Sequence, residues 1–215
     1  MSARFDMLKR LTEIDGRSKG PATTFTAYDA MAAILAIGHS GKIGRGKLGT
    51  ELAMGPGAVR TLITKLKHMR YISISGEGCS LTKSGTLLFE EISDKLHMCG
   101  EARLKELSLG NYYFVIKIHN AETLPQNILE LRDEAVRAGA VGALLLRYHS
   151  GRLVFADSQI PCQETKNSRD WDILVSLCNL REGDLLAVAF AAEQKGAREG
   201  ALAMGLKAVI PPHHA

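Results

Sequence analysis

The sequence predicts an α+β protein built from two successive domains, and three observations carry that prediction. Apolar residues recur at helical spacing through most of residues 26–98, interrupted by one strand–turn–strand alternation. From about residue 110 the pattern changes to strand-like runs alternating with helix-like ones. The charge divides in the same way: residues 1–100 hold 14 Lys+Arg against 9 Asp+Glu, while residues 101–215 hold 13 against 14. A chain of 215 residues, 46% hydrophobic and 23% charged, has globular composition, which excludes collagen, coiled-coil and wholly disordered classes. The expected division is an N-terminal helix and linker at 1–20, a first domain at 21–105 and a second at 106–215.

Residues 3–14 can form a short amphipathic helix with Phe5, Leu8, Leu11 and Ile14 on one face, ended by the breaker run DGRSKGP. Thr26 then caps AYDAMAAILAIG, a helix too apolar for a surface, which closes at Gly38. The run GKIGRGKLG leads to a second helix around Lys47–Met54, with Leu48 and Leu52 four apart. After the turn MGPG, Pro56 suits the first turn of a third helix, in which Val59, Leu62, Ile63 and Leu66 recur to about Met69. YISIS, GEG and CSLT then read as a hairpin, and Thr82 starts a fourth helix, KSGTLLFEEISDKL. The second domain reads as strand NYYFVIKIH, a helix after Pro125, two strands around His149-Ser150-Gly151, a helix near SRDWDILVSLCNL, strand DLLAVAFA and a last helix EQKGAREGALAMGLKAV. That β-α-β-β-α-β-α order predicts a small α/β sandwich with helices on one face of the sheet, the ferredoxin-like arrangement being the first candidate.

The order helix, helix, turn, helix, hairpin, helix, with the string LGTELAMGPGAVRTLITKLKHMRYISISGEGCSLTKSGTLLFEEI, resembles the winged helix-turn-helix domain of prokaryotic transcription regulators of the MarR type and their archaeal relatives. The likeness covers about residues 26–98. It rests on the spacing from Gly55 to the end of the third helix, on Tyr71-Ile72 leading into the hairpin, and on LTKSGTLL, which matches the family's L-T-x-x-G-x-x-L. The whole chain also resembles archaeal proteins that join a winged helix to a C-terminal domain of unknown function, a likeness that brings no activity with it. The resemblance implies a sequence-specific DNA-binding transcription regulator with the third helix, 57–69, in the major groove. The C-terminal domain would then serve dimerisation, ligand sensing, or both.

Residues 42–70 fit that implication, with Lys42, Arg45, Lys47, Arg60, Lys65, Lys67 and Arg70 against a single acid, Glu51. The four apolar residues of the third helix leave Ala58, Arg60, Thr61, Thr64, Lys65 and His68 outward. Arginine can pair two donors with a guanine edge, threonine can bond a base or touch a thymine methyl, and lysine neutralises phosphate. The resemblance places Gly57 to Lys65 at the groove, with Pro56 and Gly57 where many relatives carry Ser or Thr. Lys42, Arg45 and Lys47 are expected to meet the DNA backbone at the start of the second helix. Glu77, at the hairpin tip, would repel phosphate.

Other motifs carry less. Gly44 to Gly49 matches G-x-G-x-x-G, but an apolar helix precedes it where a dinucleotide site needs a strand. Gly41 to Lys47 matches a P-loop only as far as Leu48, which stands where the magnesium-binding Ser or Thr belongs. Asp170-Trp171-Asp172 reads as a helix start with a core tryptophan. Cys79, Cys99, Cys162 and Cys178 are far apart and are expected to be reduced. The histidines, including His213 and His214, form no metal set, and the second domain shows no nucleophile–base pairing. The reading is therefore a non-enzymatic, cytoplasmic protein without cofactor or membrane segment. Its expected partners are double-stranded DNA, a second copy of itself and a small-molecule effector of unidentified chemistry. The alternative is an enzyme or ligand-binding protein with its activity in the C-terminal domain, the winged helix being an accessory or a protein–protein adaptor.

Overall fold

The structure, a computed structural model, describes residues 8, 10, 11, 13–15, 25–119 and 128–209. Phe5, most of the DGRSKGP run, Pro125, His213 and His214 lie outside the described residues. Among the described residues there are eight α-helices and two antiparallel sheets, and no helix is long and apolar enough to cross a membrane. The chain divides into two compact units, Met1–Asp94 and Lys95–Ala215.

The first unit is organised around α1 (Ala27–Ser40), which Thr26 and Asp29 start with a reciprocal capping box. Its residues Ala30 to Ile37 are all buried, as its composition demands. Leu8, Leu11 and Ile14 are buried as well, Ile14 within one turn of 3-10 helix at Glu13–Asp15. Helices α2 (Arg45–Glu51) and α3 (Pro56–His68) follow, then strands β1 (Ile72–Ser75) and β2 (Gly78–Leu81), then α4 (Lys83–Ser93). The hairpin pairs Ile72 with Leu81 and Ser75 with Gly78, and Ile43 adds a bridge to Cys79 on its far side.

The glycine of the LTKSGTLL motif has a plain steric reason. Thr82 caps α4 by accepting the Gly85 N–H at 3.1 Å, while its own N–H donates to Tyr71 O. That junction brings α4 so close to the start of the hairpin that a Cβ on Gly85 would stand 1.9 Å from Tyr71 O. Replacing a helical glycine by alanine ordinarily stabilises by about 1 kcal/mol. Here overpacking against backbone, about 1–3 kcal/mol, should win, so Gly85→Ala should lower the unit's stability in denaturant titration. A stabilised variant would mean that the junction yields freely.

The second unit is a five-stranded sheet in the order β3-β4-β7-β5-β6, every neighbour antiparallel. The strands are β3 (Leu96–Ala102), β4 (Tyr112–Ile118), β5 (Gly142–His149), β6 (Arg152–Phe155) and β7 (Leu185–Ala191). The helices are α5 (Ile128–Arg137), α6 (Cys162–Thr165), α7 (Asp170–Cys178) and α8 (Gln194–Val209). The ferredoxin-like arrangement is not what forms. In that order the hairpin partner of the second strand fills the gap between the first two parallel strands; here the last strand, β7, fills it and β6 lies at the edge. LLAVAFA explains the placement, because a strand apolar at nearly every position belongs in the centre, with both faces covered.

Both faces are covered, which corrects the expectation of helices on one face. Ala187, Ala189 and Ala191 form a shallow face on which α8 seats Gly200, whose added Cβ would lie 3.3 Å from Ala189 Cβ. The alternate residues Leu186 and Val188 join Tyr113, Val115 and Leu146 on the opposite face, where Trp171, Leu174 and Cys178 of α7 pack. The unit boundary falls before β3, ahead of the division at 105/106 drawn from the sequence, because β3 pairs along β4 from Leu96↔Ile118 to Ala102↔Tyr113. The register of that pairing shifts between Met98 and Gly100, leaving Cys99 as a bulge that breaks the alternation a strand would show in sequence. Cys99 is disulfide-bonded to Cys178, with Cα atoms 5.3 Å apart across 79 residues of sequence. The expectation of four reduced cysteines therefore holds only for Cys79 and Cys162, both buried and free.

Candidate nucleic-acid interface

The candidate surface lies wholly within the first unit and is built on α2 and α3. Val59, Leu62, Ile63 and Leu66 turn one side of α3 into the core. On the other side Arg60, Thr61, Thr64 and His68 are exposed, with Ala58 and Lys65 half-buried at its margins and Lys67 exposed beside them. The amphipathic period alone fixes this division.

Gly55 occupies the N-cap of α3 without a side-chain capping bond, and Pro56 fills the first helical turn. A Cβ added at Gly55 or Gly57 would meet nothing within 4 Å, so the backbone there is open to close approach. Two of the expected contact residues are partly committed within the helix: Thr61 Oγ1 donates to Gly57 O at 3.0 Å and Thr64 Oγ1 donates to Arg60 O at 2.9 Å. Toward a partner these hydroxyls keep only their acceptor lone pairs, together with the γ-methyl groups.

α2 crosses close to the start of α3, since a Cβ on Gly49 would stand 3.2 Å from Val59 Cγ2. The connection turns at Ala53, a non-glycine residue at φ 51°, and Met54 N–H returns to Gly49 O at 2.9 Å. Between the two helices lies an open cleft of about 390 Å³ lined by Arg45, Gly46, Thr50, Met54, Pro56 and neighbouring residues. Arg45 and Lys47 are exposed at the start of α2. Lys42 is placed differently from expectation. It pairs with Glu77 at the hairpin tip, so the acid expected to repel phosphate is answered by one of the three cations assigned to the DNA backbone. Both partners are exposed, and such a pair is worth little and weakens with salt. Burial raises the Cys79 thiol above its ordinary pKa, with the Arg45 charge acting in the opposite direction.

In the second unit, Asp170-Trp171-Asp172 is structural. Asp170 is buried, and its carboxylate accepts the backbone N–H groups of Lys105, Glu106 and Leu107 at 3.2, 2.8 and 2.8 Å. Trp171 donates from Nε1 to Lys166 O at 2.8 Å and meets Phe155 edge-on, while Asp172 is exposed. A second polar group escaped sequence reading. Buried Lys117 in β4 donates to Asn179 O at 3.1 Å and lies 3.9 Å from the buried Asp184 carboxylate, with His119 Nδ1 at 3.7 Å on its other oxygen. The one signal for it was a lysine inside YYFVIKIH. Among the described residues no group of three or more His, Cys, Asp or Glu is placed to hold a metal ion.

The fold and this surface define a two-unit α/β protein with a basic, helix-presenting N-terminal unit. Comparison with known proteins places it further. Residues 109–209 match a domain of unknown function, DUF4443. The structure is similar to that of a hypothetical protein from Pyrococcus horikoshii OT3, at 25% sequence identity and a TM-score of 0.65, covering 86% of this chain and 92% of that one. No curated protein matches the chain.

Proposed function

We propose that the first unit is a winged helix-turn-helix domain of the MarR-like, archaeal type and that the chain is a sequence-specific DNA-binding transcription regulator acting in the cytoplasm. The observation that carries this reading is the outer side of α3, where a basic and threonine-bearing row stands exposed beside an uncapped, glycine-flanked helix start. α3 enters the major groove with Arg60, Thr61 and Thr64 toward base edges. Gly57 and Ala58 offer backbone amides to phosphate, Lys65, Arg45 and Lys47 supply positive charge alongside, and His68 offers a ring N–H. Lys42 faces Glu77 in a weak, exposed pair, so it reaches the backbone by exchanging that acid for a phosphate. The second unit pairs two copies across a symmetric operator, senses a small molecule, or does both.

The test begins with capture of genomic fragments by the purified protein, followed by titration of the recovered site. Arg60→Ala should cost about 1–3 kcal/mol on that site and relax selectivity at one base position, through loss of a bidentate contact. Lys65→Ala should weaken all sequences alike. Binding by both variants that is indistinguishable from the parent's would sink the assignment of α3 as the recognition helix.

A further inference from the structure

We propose that Cys99 and Cys178 form a thiol–disulfide exchange site that pins the C-terminal end of α7 over the large-residue face of the second unit's sheet, and that reduction by a dithiol releases that end. This inference is independent of the DNA reading.

α7 is a short cover over Tyr113, Val115, Leu146, Leu186 and Val188, and it is fastened at both ends by different chemistry. Its start is held by the Asp170 carboxylate on three backbone amides. Its end is held by the Lys117 bond to Asn179 O and by the cross-link from Cys178. The start therefore survives a change of redox state, whereas the end would lose its one covalent tie and keep its packing and the Lys117 bond to Asn179 O. The Cα separation of 5.3 Å lies within the range that a disulfide spans without backbone movement, so the pair can open and close in place.

The bulge supplies the access. Met98 pairs with Ile116 and Gly100 with Val115, so Cys99 is the extra residue, and Gly100 takes the positive φ of 98° that the irregularity requires. Cys99 is half-buried and Cys178 is 2% exposed, which directs an incoming thiolate to Cys99 Sγ. Attack there forms a mixed disulfide on Cys99 and expels the Cys178 thiolate, which takes up a proton. The second thiol of the reductant then attacks its own sulfur in the mixed disulfide, closing the oxidised dithiol and leaving Cys99 as a thiol. The remaining cysteines are bystanders: Cys162 is fully buried, which pushes its thiol up to about 12, and Cys79 belongs to the first unit.

The full-length protein, purified without reductant, would be alkylated under denaturing conditions and mapped by mass spectrometry before and after dithiothreitol. Cys99 and Cys178 should be protected before reduction and modified after it. Amide exchange measured in native buffer well below the melting temperature should rise about tenfold or more over residues 174–179 on reduction, with residues 105–107 unchanged. Oxidised glutathione should restore the slow exchange. Cys99→Ser should show the fast exchange without reductant, and reduced wild-type protein supplies the same comparison without relying on that variant's folding. Two thiols that alkylate freely from the outset, or exchange over 174–179 that does not respond to reduction, would overturn the proposal.

Discussion

Asp170→Ala should destabilise the second unit by about 3–5 kcal/mol, a large part of the roughly 5–15 kcal/mol that holds a typical domain folded. The substitution removes the common acceptor of three backbone N–H groups at 105–107, of which the Leu107 bond is buried and the Lys105 and Glu106 bonds are part-buried. The buried Leu107 donor left unpaired costs about 1–3 kcal/mol, and the loss of two charge-assisted bonds at Lys105 and Glu106 adds the rest. Asp170→Asn, which keeps a single carbonyl acceptor, should fall between the alanine variant and the parent. Trp171 is the sole tryptophan and adjoins the substituted residue, so its fluorescence during urea unfolding reports on this unit. An alanine variant within about 1 kcal/mol of the parent would show that the clamp is dispensable.

The second large effect concerns salt. Arg45, Lys47 and Lys65 offer three phosphate contacts per copy once Lys42 is assigned to Glu77. Two copies on one duplex would release counterions from about six phosphates, so log K should fall against log salt with a slope near −5. Between 50 and 200 mM salt that amounts to about a thousandfold loss of affinity. A fragment of residues 1–94, cut where the structure divides, should show about half the slope and much weaker binding, because it lacks the unit proposed to pair the copies. Equal slopes for fragment and full chain would place dimerisation in residues 1–94. No binding by either at low salt would retire the DNA reading.

Much of the first unit was legible because local rules and packing agree there. Thr26 and Thr82 cap where their hydroxyls predict, and the four apolar residues of α3 are the four that are buried. The LTKSGTLL glycine was recognised as a motif, but its reason, the approach of Tyr71 O, is a tertiary contact that spacing cannot show. The second unit was legible strand by strand and misread in assembly. β3 hid behind the Cys99 bulge, and the position of β7 depends on which gap the longest apolar strand fills. The Lys42–Glu77 pair, the Cys99–Cys178 bond and the Lys117–Asp184 group join residues 35, 79 and 67 positions apart, and no periodicity links such partners.

The central seat of β7 also orders the chain in time. β4 and β5 are made first, yet neither can pair with the other, because the strand that belongs between them follows both in the chain. The sheet must wait for Leu185–Ala191, and α8, which closes the alanine face, comes later still. The first unit carries no such debt, since every pairing within it is complete by Asp94. During synthesis the first unit can fold while the second can form no more of its sheet than the two separate pairs β3–β4 and β5–β6, each with an unpaired apolar edge, which makes the second unit the slower folder and the one that needs protection from aggregation.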